Sequence, residues 1–221
     1  DDMGLGKTLQ SIAWILWLRD RAASDVTAGA RTAAPCLVVC PKSVLDVWAA
    51  ELAKCASHLR IQVLHDKDQL DLDTLRNNLD VLVLNYAQLR GSIDQLHTIP
   101  WLAVILDEGQ QIKNPDSKAA KAARQLHAEN RLVLTGTPLE NRLLELWSVV
   151  DLIVPGYLGS EREFRAIHRD PSHHQLHLLR QRLGVLTLRR VKEQVLADLP
   201  DKVEDLRYCR LLPAQRKLYN R

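Results

Sequence analysis

The first eight residues carry a pattern that could bind the phosphates of a nucleotide. Gly4 and Gly6 let the backbone turn so that successive N–H groups can close around phosphate oxygens. Lys7 would place a positive charge beside the β- and γ-phosphates, and Thr8 would offer a hydroxyl to Mg²⁺ at the start of a helix. The strict pattern has glycine where Asp1 stands, so a glycine-rich helix start is the alternative interpretation. The candidate nucleotide-binding residues are Met3, Gly4, Leu5, Gly6, Lys7 and Thr8.

Two adjacent carboxylates, Asp107 and Glu108, follow the apolar run Leu102–Leu106. In open α/β sheets the carboxyl ends of parallel strands line the ligand crevice. Asp107 could hold Mg²⁺ there, and Glu108 could orient and polarise an attacking water. An ordinary strand end with solvated acids is the alternative, but a phosphate loop upstream in the same sheet favours the catalytic interpretation.

A third apolar run, Leu132–Leu134, ends in a polar turn that contains Thr135, Gly136 and Thr137. Two hydroxyls and a glycine beside the neighbouring strand could contact the acidic pair and sense hydrolysis. The alternative is a plain turn in which Gly136 and Pro138 only end the strand.

Apolar runs of strand length alternate with helical stretches, which predicts a parallel sheet covered by helices on both faces. The expected architecture is therefore a three-layer α/β lobe. We expect strands at Cys36–Cys40, Ile61–Leu64, Val81–Leu84, Leu102–Leu106 and Leu132–Leu134, and helices at Thr8–Asp20, Val44–Lys54, Ser117–His127 and Leu143–Ile153.

Two further features of the pattern make specific predictions. The first helix carries apolar residues at helical spacing, which predicts a buried face. This face would consist of Leu9, Ile12, Ala13, Leu16 and Trp17. Trp14, Ile15 and Leu18 widen it, so we expect the helix to be covered on more than one side. From Pro155 the pattern becomes mainly helical, with one strand-like run at Val185–Leu188.

The composition of the 221 residues is that of a globular protein, with 46% hydrophobic and 26% charged residues. This length allows one large domain, or one domain with a small extension. A formal net charge of +3 does not by itself indicate a nucleic-acid binder. No apolar run reaches the roughly 18–20 residues of a membrane span, and no signal peptide is visible, so we expect an intracellular protein without a membrane partner. Cys36 and Cys40 lie in an apolar run and are expected to be reduced core residues.

Taken together and in this order, the motifs resemble those of the Swi/Snf-family ATPases of helicase superfamily 2. The resemblance covers almost the whole chain and includes segments beyond the nucleotide motifs. It rests on Asp1–Thr8, Pro41–Leu45 with Trp48 and Glu51, Asn85–Arg90, Asp107–Asn114, Thr135–Asn141, Glu145–Ser148, Pro155-Gly156, Leu188–Lys192 and Leu199–Lys202.

The resemblance implies a RecA-like fold in which ATP and Mg²⁺ lie between two lobes, with hydrolysis stimulated by duplex DNA and coupled to translocation along it. Residues 1–154 would form the first lobe, incomplete at its N-terminus, and residues 155–221 a helical extension and the start of the linker to a second lobe. The resemblance places Lys7, Thr8, Asp107 and Glu108 at the nucleotide. Residues predicted to follow the phosphates of one DNA strand, without sequence specificity, are Lys42, Ser43, Asn85 and Tyr86.

The chain departs from the family pattern at two motifs. The acidic box continues with Gly109 and Gln110 in place of Ala-His. Because a glutamine side chain can still form a hydrogen bond with the turn at Thr135, we expect Gln110 to keep the coupling between the two motifs. Asn85 replaces the usual threonine and could still contact a phosphate.

The resemblance also implies an arginine finger that comes from the second lobe. Such an arginine contributes about 10³–10⁵ to the rate in related phosphoryl-transfer systems. We therefore expect the 221 residues alone to hydrolyse ATP poorly or not at all. A purified fragment that turned over ATP as fast as the full-length protein would contradict this expectation.

Two other functions remain open at this point. One is an RNA helicase of the same superfamily, although the segment 140–159 favours the Swi/Snf type. The other is a nucleic-acid-binding scaffold without turnover, which the presence of Lys7, Asp107 and Glu108 disfavours. Chromatin, DNA-repair and transcription partners all suit the family. A composition rich in Ala, Leu and Arg hints at a bacterial source, with RNA-polymerase or repair partners in the nucleoid; a eukaryotic protein would be nuclear.

Overall fold

The computed structural model describes residues 1–2, 4–24, 33–65, 68, 70–136, 143–195, 205, 209 and 212–219. The candidate residues Met3 and Thr137 lie outside the described residues, as does most of the segment 196–211. Two compact units are present, Asp1–Arg190 and Val191–Arg221. The described candidate residues all belong to the first unit, and the predicted boundary after residue 154 stays a prediction.

The described residues form helices and strands in alternation through most of the first unit. The strands are β1 (Cys36–Cys40), β2 (Ile61–Val63), β3 (Val81–Asn85), β4 (Pro100–Leu106) and β5 (His127–Val133). The α-helices of the first unit are α1 (Lys7–Ser24), α2 (Leu45–Cys55), α3 (Leu72–Asn77), α4 (Tyr86–Gly91), α5 (Ile93–Leu96), α6 (Lys118–Gln125), α7 (Leu143–Ile153), α8 (Glu161–Ile167) and α9 (His173–Gly184), and two 3₁₀ helices are Lys42–Val44 and Gly109–Ile112. The second unit contains α10 (Lys192–Val195) and α11 (Pro213–Tyr219).

The five strands form one parallel sheet in the order β2-β3-β1-β4-β5. Every residue of β1 is buried. Its successive side chains point to opposite faces of the sheet, so Leu37 and Val39 enter one apolar cluster while Cys36, Val38 and Cys40 enter another. A core on each face requires helices on both sides of the sheet. The predicted three-layer α/β architecture is confirmed.

The predicted buried face of α1 is wrong in part. Leu9 and Trp17 are 52% and 53% exposed, whereas Ile12 is buried as predicted, together with Ile15 and Leu18 of the wider face and Ser11. Because α1 carries apolar residues on several of its sides, their spacing is compatible with two overlapping buried faces. The face centred on Ile15 is the one that packs on the sheet. The guanidinium of Arg21 lies 5.5 Å from the centre of the exposed Trp17 ring, which gives that ring a cationic partner.

The predicted strand at Val185–Leu188 is also wrong. After α9 the amides of Leu186 and Thr187 both donate to the carbonyl of Leu183, at 2.9 and 3.0 Å, which holds the chain in a turn. Val185 is 77% exposed. The helical extension packs on α7 through a separate apolar cluster, which contains Trp147, Val150, Leu158, Phe164 and Leu179.

None of the helices that the structure describes combines the length and the apolar character that crossing a membrane would require.

Candidate active site

The candidate residues meet where the parallel strands end. Cys40 of β1 is paired in register with Asn85 of β3, and on the other side the amide of Asp107 donates to the carbonyl of Val39 at 2.8 Å. Asn85, Cys40 and Asp107 therefore form a row across three neighbouring strands. Beyond β4, the amide of Leu134 donates to Leu106 at 2.9 Å, which brings the end of β5 to the same edge.

The phosphate loop is closed by two glycines in left-handed conformations, with φ of 83° at Gly4 and 73° at Gly6. Residues other than glycine rarely adopt this backbone. The Nζ of Lys7 donates to the carbonyls of Asp1 and Asp2 at 3.0 and 2.9 Å. The ammonium group therefore lies over the loop, where phosphate oxygens could replace the two carbonyls.

Asp1, which stands where the strict pattern has glycine, anchors the loop to a distant part of the unit. Its carboxylate forms an ion pair with the guanidinium of Arg190 and accepts the amide of Arg190 at 3.0 Å. The amide of Asp2 donates to the carbonyl of Arg190 at 3.1 Å. Sequence reasoning missed this contact because 189 positions separate the two partners.

Asp107 is buried and held by two donors. The indole Nε1 of Trp48 donates to its Oδ2 at 2.9 Å, and the amide of Glu108 donates to its Oδ1 at 2.9 Å. Burial raises the pKa of the Asp107 carboxyl above its ordinary value, and the two hydrogen bonds oppose that change. The hydroxyl of Tyr86 donates to the backbone carbonyl of Asp107 at 2.7 Å. Burial also raises the pKa of the neighbouring Cys40 thiol to about 12, so this thiol stays protonated as expected for a core cysteine.

Glu108 has a strained backbone and an unsatisfied side chain. Its φ of 53° is the one positive value at a non-glycine position among the described residues. Its Oε2 is buried and has no hydrogen-bond partner in the part of the chain that the structure describes. Strain of this kind persists only where surrounding contacts impose it, and it concentrates at functional sites. A buried carboxylate oxygen without a donor is where an ordered water or a substrate group would bind.

The loop after Glu108 packs closely on the end of β5. The amide of Gly109 donates to Leu134 at 2.8 Å, and a Cβ at Gly109 would lie only 2.5 Å from Cγ1 of Val133. This close approach accounts for glycine in place of alanine here. The hydroxyl of Thr135 donates to Oε1 of Gln110 at 3.4 Å, so the contact expected between the acidic box and the polar turn is present.

The four DNA-contact candidates lie at this edge but differ in exposure. Lys42 and Ser43 are exposed and form the first turn after β1. Asn85 and Tyr86 are buried. The Oδ1 of Asn85 caps α4 by accepting the amides of Ala87 and Gln88, an arrangement that the Asn-x-x-Gln spacing could have indicated. Contact of all four with DNA stays a prediction. Two of them also make contacts within the site, since Asn85 caps α4 and the hydroxyl of Tyr86 donates to the carbonyl of Asp107.

These residues fit a nucleotide with Mg²⁺. The carboxylate of Asp107 and the hydroxyl of Thr8 are the oxygen ligands that Mg²⁺ prefers. Lys7 over the phosphate loop and the buried Oε2 of Glu108 are groups of the kinds that bind phosphates and orient a water in phosphoryl transfer.

The comparisons with known proteins identify the relatives of this chain. The chain is 38% identical to the TATA-binding protein-associated factor BTAF1 of Arabidopsis thaliana, over 99% of this chain and 12% of that protein. It is 35% identical to an "Uncharacterized ATP-dependent helicase" of Mycoplasma pneumoniae, over 99% of this chain and 21% of that protein. The solved SWI2/SNF2 ATPase core of Sulfolobus solfataricus in complex with dsDNA is 37% identical and superposes with a TM-score of 0.76, over 99% of this chain and 45% of that one.

The chain thus spans between about an eighth and just under half of the length of these proteins. The structural match confirms the RecA-like fold that the motifs led us to expect. The SNF2-related domain matches residues 1–221, the whole of the sequence, and the chain therefore belongs to the SNF2-related domain family.

Proposed function

We propose that this chain is the ATP-binding lobe of a DNA-dependent ATPase of the Swi/Snf type, which couples ATP hydrolysis to movement along duplex DNA. The observation that carries the proposal is the buried Oε2 of Glu108, which has no hydrogen-bond partner among the described residues and adjoins the Asp107 carboxylate. Lys7 of the phosphate loop lies near the same edge of the sheet, since it lines one cavity together with Thr135, just after β5. Within this lobe, residues 1–154 form the RecA-like part and residues 155–221 the extension toward a second lobe, which would supply an arginine finger.

In this proposal the phosphate loop binds the nucleotide, and the acidic pair holds the metal ion and activates the water. Backbone N–H groups of the phosphate loop and the ammonium of Lys7 bind and orient the phosphates of ATP. Bound between Thr8 and Asp107, Mg²⁺ would neutralise negative charge on the phosphates. Glu108 orients the attacking water and accepts its proton, and the buried position of its carboxylate excludes other water. The contact between Gln110 and Thr135 links this pair to the polar turn that contains Gly136 and Thr137.

Duplex DNA would bind along the exposed residues Lys42 and Ser43, beside the row formed by Asn85, Cys40 and Asp107. The Sulfolobus structure, whose protein this chain resembles over 99% of its length, is itself a complex with dsDNA, which supports this partner. Contacts of a lysine and a hydroxyl with phosphates carry no sequence information and weaken as salt increases.

The protein partners can be proposed only as a class. Relatives named TATA-binding protein-associated factors favour a partner in transcription, while the bacterial helicase relative keeps RNA-polymerase and repair partners open. In either case the proposed activity places the protein inside the cell with genomic DNA, in the nucleoid or the nucleus.

The test is steady-state ATP hydrolysis by the full-length protein with Mg²⁺, with and without linear duplex DNA. We expect strong stimulation by duplex DNA, and a loss of about 10²-fold or more in the Lys7→Ala variant because a preorganised charge at the phosphates is removed. Lys118→Ala removes an exposed lysine from the first position of another helix and should retain full activity.

Two results would overturn the proposal in different directions. Binding of DNA without hydrolysis under any nucleic acid would support the scaffold. Stimulation by RNA alone would support an RNA helicase of the same superfamily.

A further inference from the structure

Two side chains from separate helices converge on Asp107. Trp48, on the second turn of α2, is fully buried, and its Nε1 donates to the carboxylate. Tyr86, the first residue of α4, donates its hydroxyl to the backbone carbonyl of the same residue. Both donors come from elements that follow the ends of β1 and β3, the strands on one side of β4.

Each donor belongs to a helix that begins at a candidate DNA contact or directly after the turn that contains one. Trp48 lies in α2, which continues without a break from the 3₁₀ turn of Lys42 and Ser43. Tyr86 lies in α4, whose first turn is fixed by the Asn85 cap. A displacement at the DNA end of either element would therefore move the indole or the hydroxyl relative to Asp107.

The two hydrogen bonds control different parts of the acidic pair. Trp48 is one of the two donors that fix the orientation of the Asp107 carboxylate. The carbonyl that Tyr86 holds belongs to the peptide group between Asp107 and Glu108, so it determines how the chain enters the left-handed conformation of Glu108. Trp48 therefore acts on the orientation of Asp107, and Tyr86 on that of Glu108.

The Trp48 contact differs from those of two other well-buried tryptophans. The Nε1 groups of Trp101 and Trp147 donate to the backbone carbonyls of Leu96 and Gly159, at 3.0 Å each. Those bonds satisfy a polar group that packing has buried. The Trp48 bond reaches the carboxylate of the candidate site.

We propose that Trp48 and Tyr86 are positioning residues that transmit DNA binding to the acidic pair. The proposal rests on the function proposed above, since it assumes that Lys42, Ser43 and the start of α4 lie against duplex DNA. Binding of DNA would shift α2 and α4, and the two hydrogen bonds would carry that shift to Asp107 and Glu108. By linkage, nucleotide binding must then change the affinity for DNA by the same factor.

The test measures this coupling factor in the full-length protein. The coupling factor is the ratio of two Kd values for the same linear duplex, the first measured without nucleotide and the second with Mg²⁺ and a non-hydrolysable ATP analogue. Such factors are commonly about 5- to 150-fold. Tyr86→Phe removes only a hydroxyl, and Trp48→Phe removes the N–H together with part of a buried ring. We expect each variant to reduce the factor by about threefold or more, and the double variant to bring it close to 1.

Two matched variants separate positioning from a purely structural role. Trp101→Phe removes an equally buried indole donor, and Tyr157→Phe removes a hydroxyl that donates to the carbonyl of Arg182 at 3.1 Å. Trp101→Phe is expected to lower stability, whereas Tyr157 is 37% exposed and its hydroxyl is expected to contribute little. Neither side chain contacts the Asp107 carboxylate, so both coupling factors should equal that of the wild type. Tyr86→Phe deletes a single oxygen and keeps the test decisive if Trp48→Phe does not fold.

The possible failures are distinguishable. A wild-type protein with neither coupling nor DNA-stimulated hydrolysis would refute the proposed function. Coupling that is present in the wild type and unchanged in Trp48→Phe and Tyr86→Phe would refute the transmission by these two residues and leave the function standing. A loss of coupling in Trp101→Phe equal to that in Trp48→Phe would also refute it, because the effect would then follow stability.

Discussion

Replacing Glu108 with glutamine is expected to lower the DNA-stimulated turnover number for ATP by about 10²–10⁴-fold, the usual contribution of a general base. Glutamine keeps the volume of the side chain and its position on the strained backbone, but it cannot accept a proton from water. The backbone conformation is imposed from both sides, by the bond between the amide of Glu108 and Asp107 and by the bond between the amide of Gly109 and Leu134. The substitution should therefore leave the loop in place and remove the chemistry alone.

Two measurements isolate the chemical step. Steady-state hydrolysis gives the turnover number, and equilibrium binding of ATP should show a Kd close to that of the wild type, since Glu108 is not expected to hold the phosphates. Glu129→Gln makes the same chemical change at an exposed position of β5 and should leave hydrolysis unaltered. A Glu108→Gln variant that retained its turnover number would show that another group activates the water.

The fold and the positions of the candidate residues at the end of the sheet could be predicted because both depend on local patterns. Continuous apolar runs between helices indicated a parallel sheet, and β1 and α7 have the predicted bounds. Once the strands are parallel, Asp107 must lie at the edge where the other strands end. The contact between Gln110 and Thr135 followed from the same placement, because both residues come directly after neighbouring strands.

The contacts that orient Asp107 and anchor the phosphate loop could not be predicted because their partners are distant in sequence. Trp48 is buried, and a buried indole N–H needs an acceptor, but no pattern in the sequence shows that the acceptor is a carboxylate 59 positions away. The ion pair between Asp1 and Arg190 could not be predicted for the same reason, because its partners are 189 positions apart. The exposed Trp17 shows that local patterns can also mislead. When a helix carries apolar residues on several sides, the sequence does not show which side packs on the sheet.

Replacing Asp80 with asparagine is expected to destabilise the first unit by about 3–5 kcal/mol, the usual cost of removing one partner from a buried ion pair. Asp80 precedes β3 at the amino edge of the sheet, opposite the candidate site. Its carboxylate contacts the guanidinium groups of Arg19 on α1 and Arg60 before β2, and it also accepts the amide of Arg60 at 2.8 Å. The side chains of Asp80 and Arg19 are only 7% and 14% exposed, so Asp80→Asn would leave a nearly buried guanidinium without its counter-charge.

The contribution of Asp80 should also depend on pH, in a direction that its surroundings fix. Burial raises its pKa, but the hydrogen bonds from Arg60 and the charges of Arg19 and Arg60 outweigh burial and hold the pKa below the ordinary value. The stabilisation is therefore complete above the pKa of an unfolded aspartate, about 3.9, and is lost as the pH falls through the lower pKa of the folded state. The difference in unfolding free energy between the wild type and Asp80→Asn should then shrink toward zero in acid.

Urea-induced unfolding followed by circular dichroism, at neutral pH and from about pH 5 down to about pH 1, tests both the size and the pH dependence of this effect. The matched control is Glu161→Gln, which breaks an i,i+4 pair with Arg165 whose side chains are 35% and 53% exposed. Solvent screens such a pair, so the control should cost no more than about 1 kcal/mol. If Asp80→Asn cost as little as Glu161→Gln, the three-way contact at the amino edge would be held by the packing around it, since its charges would then contribute no more than those of a surface pair.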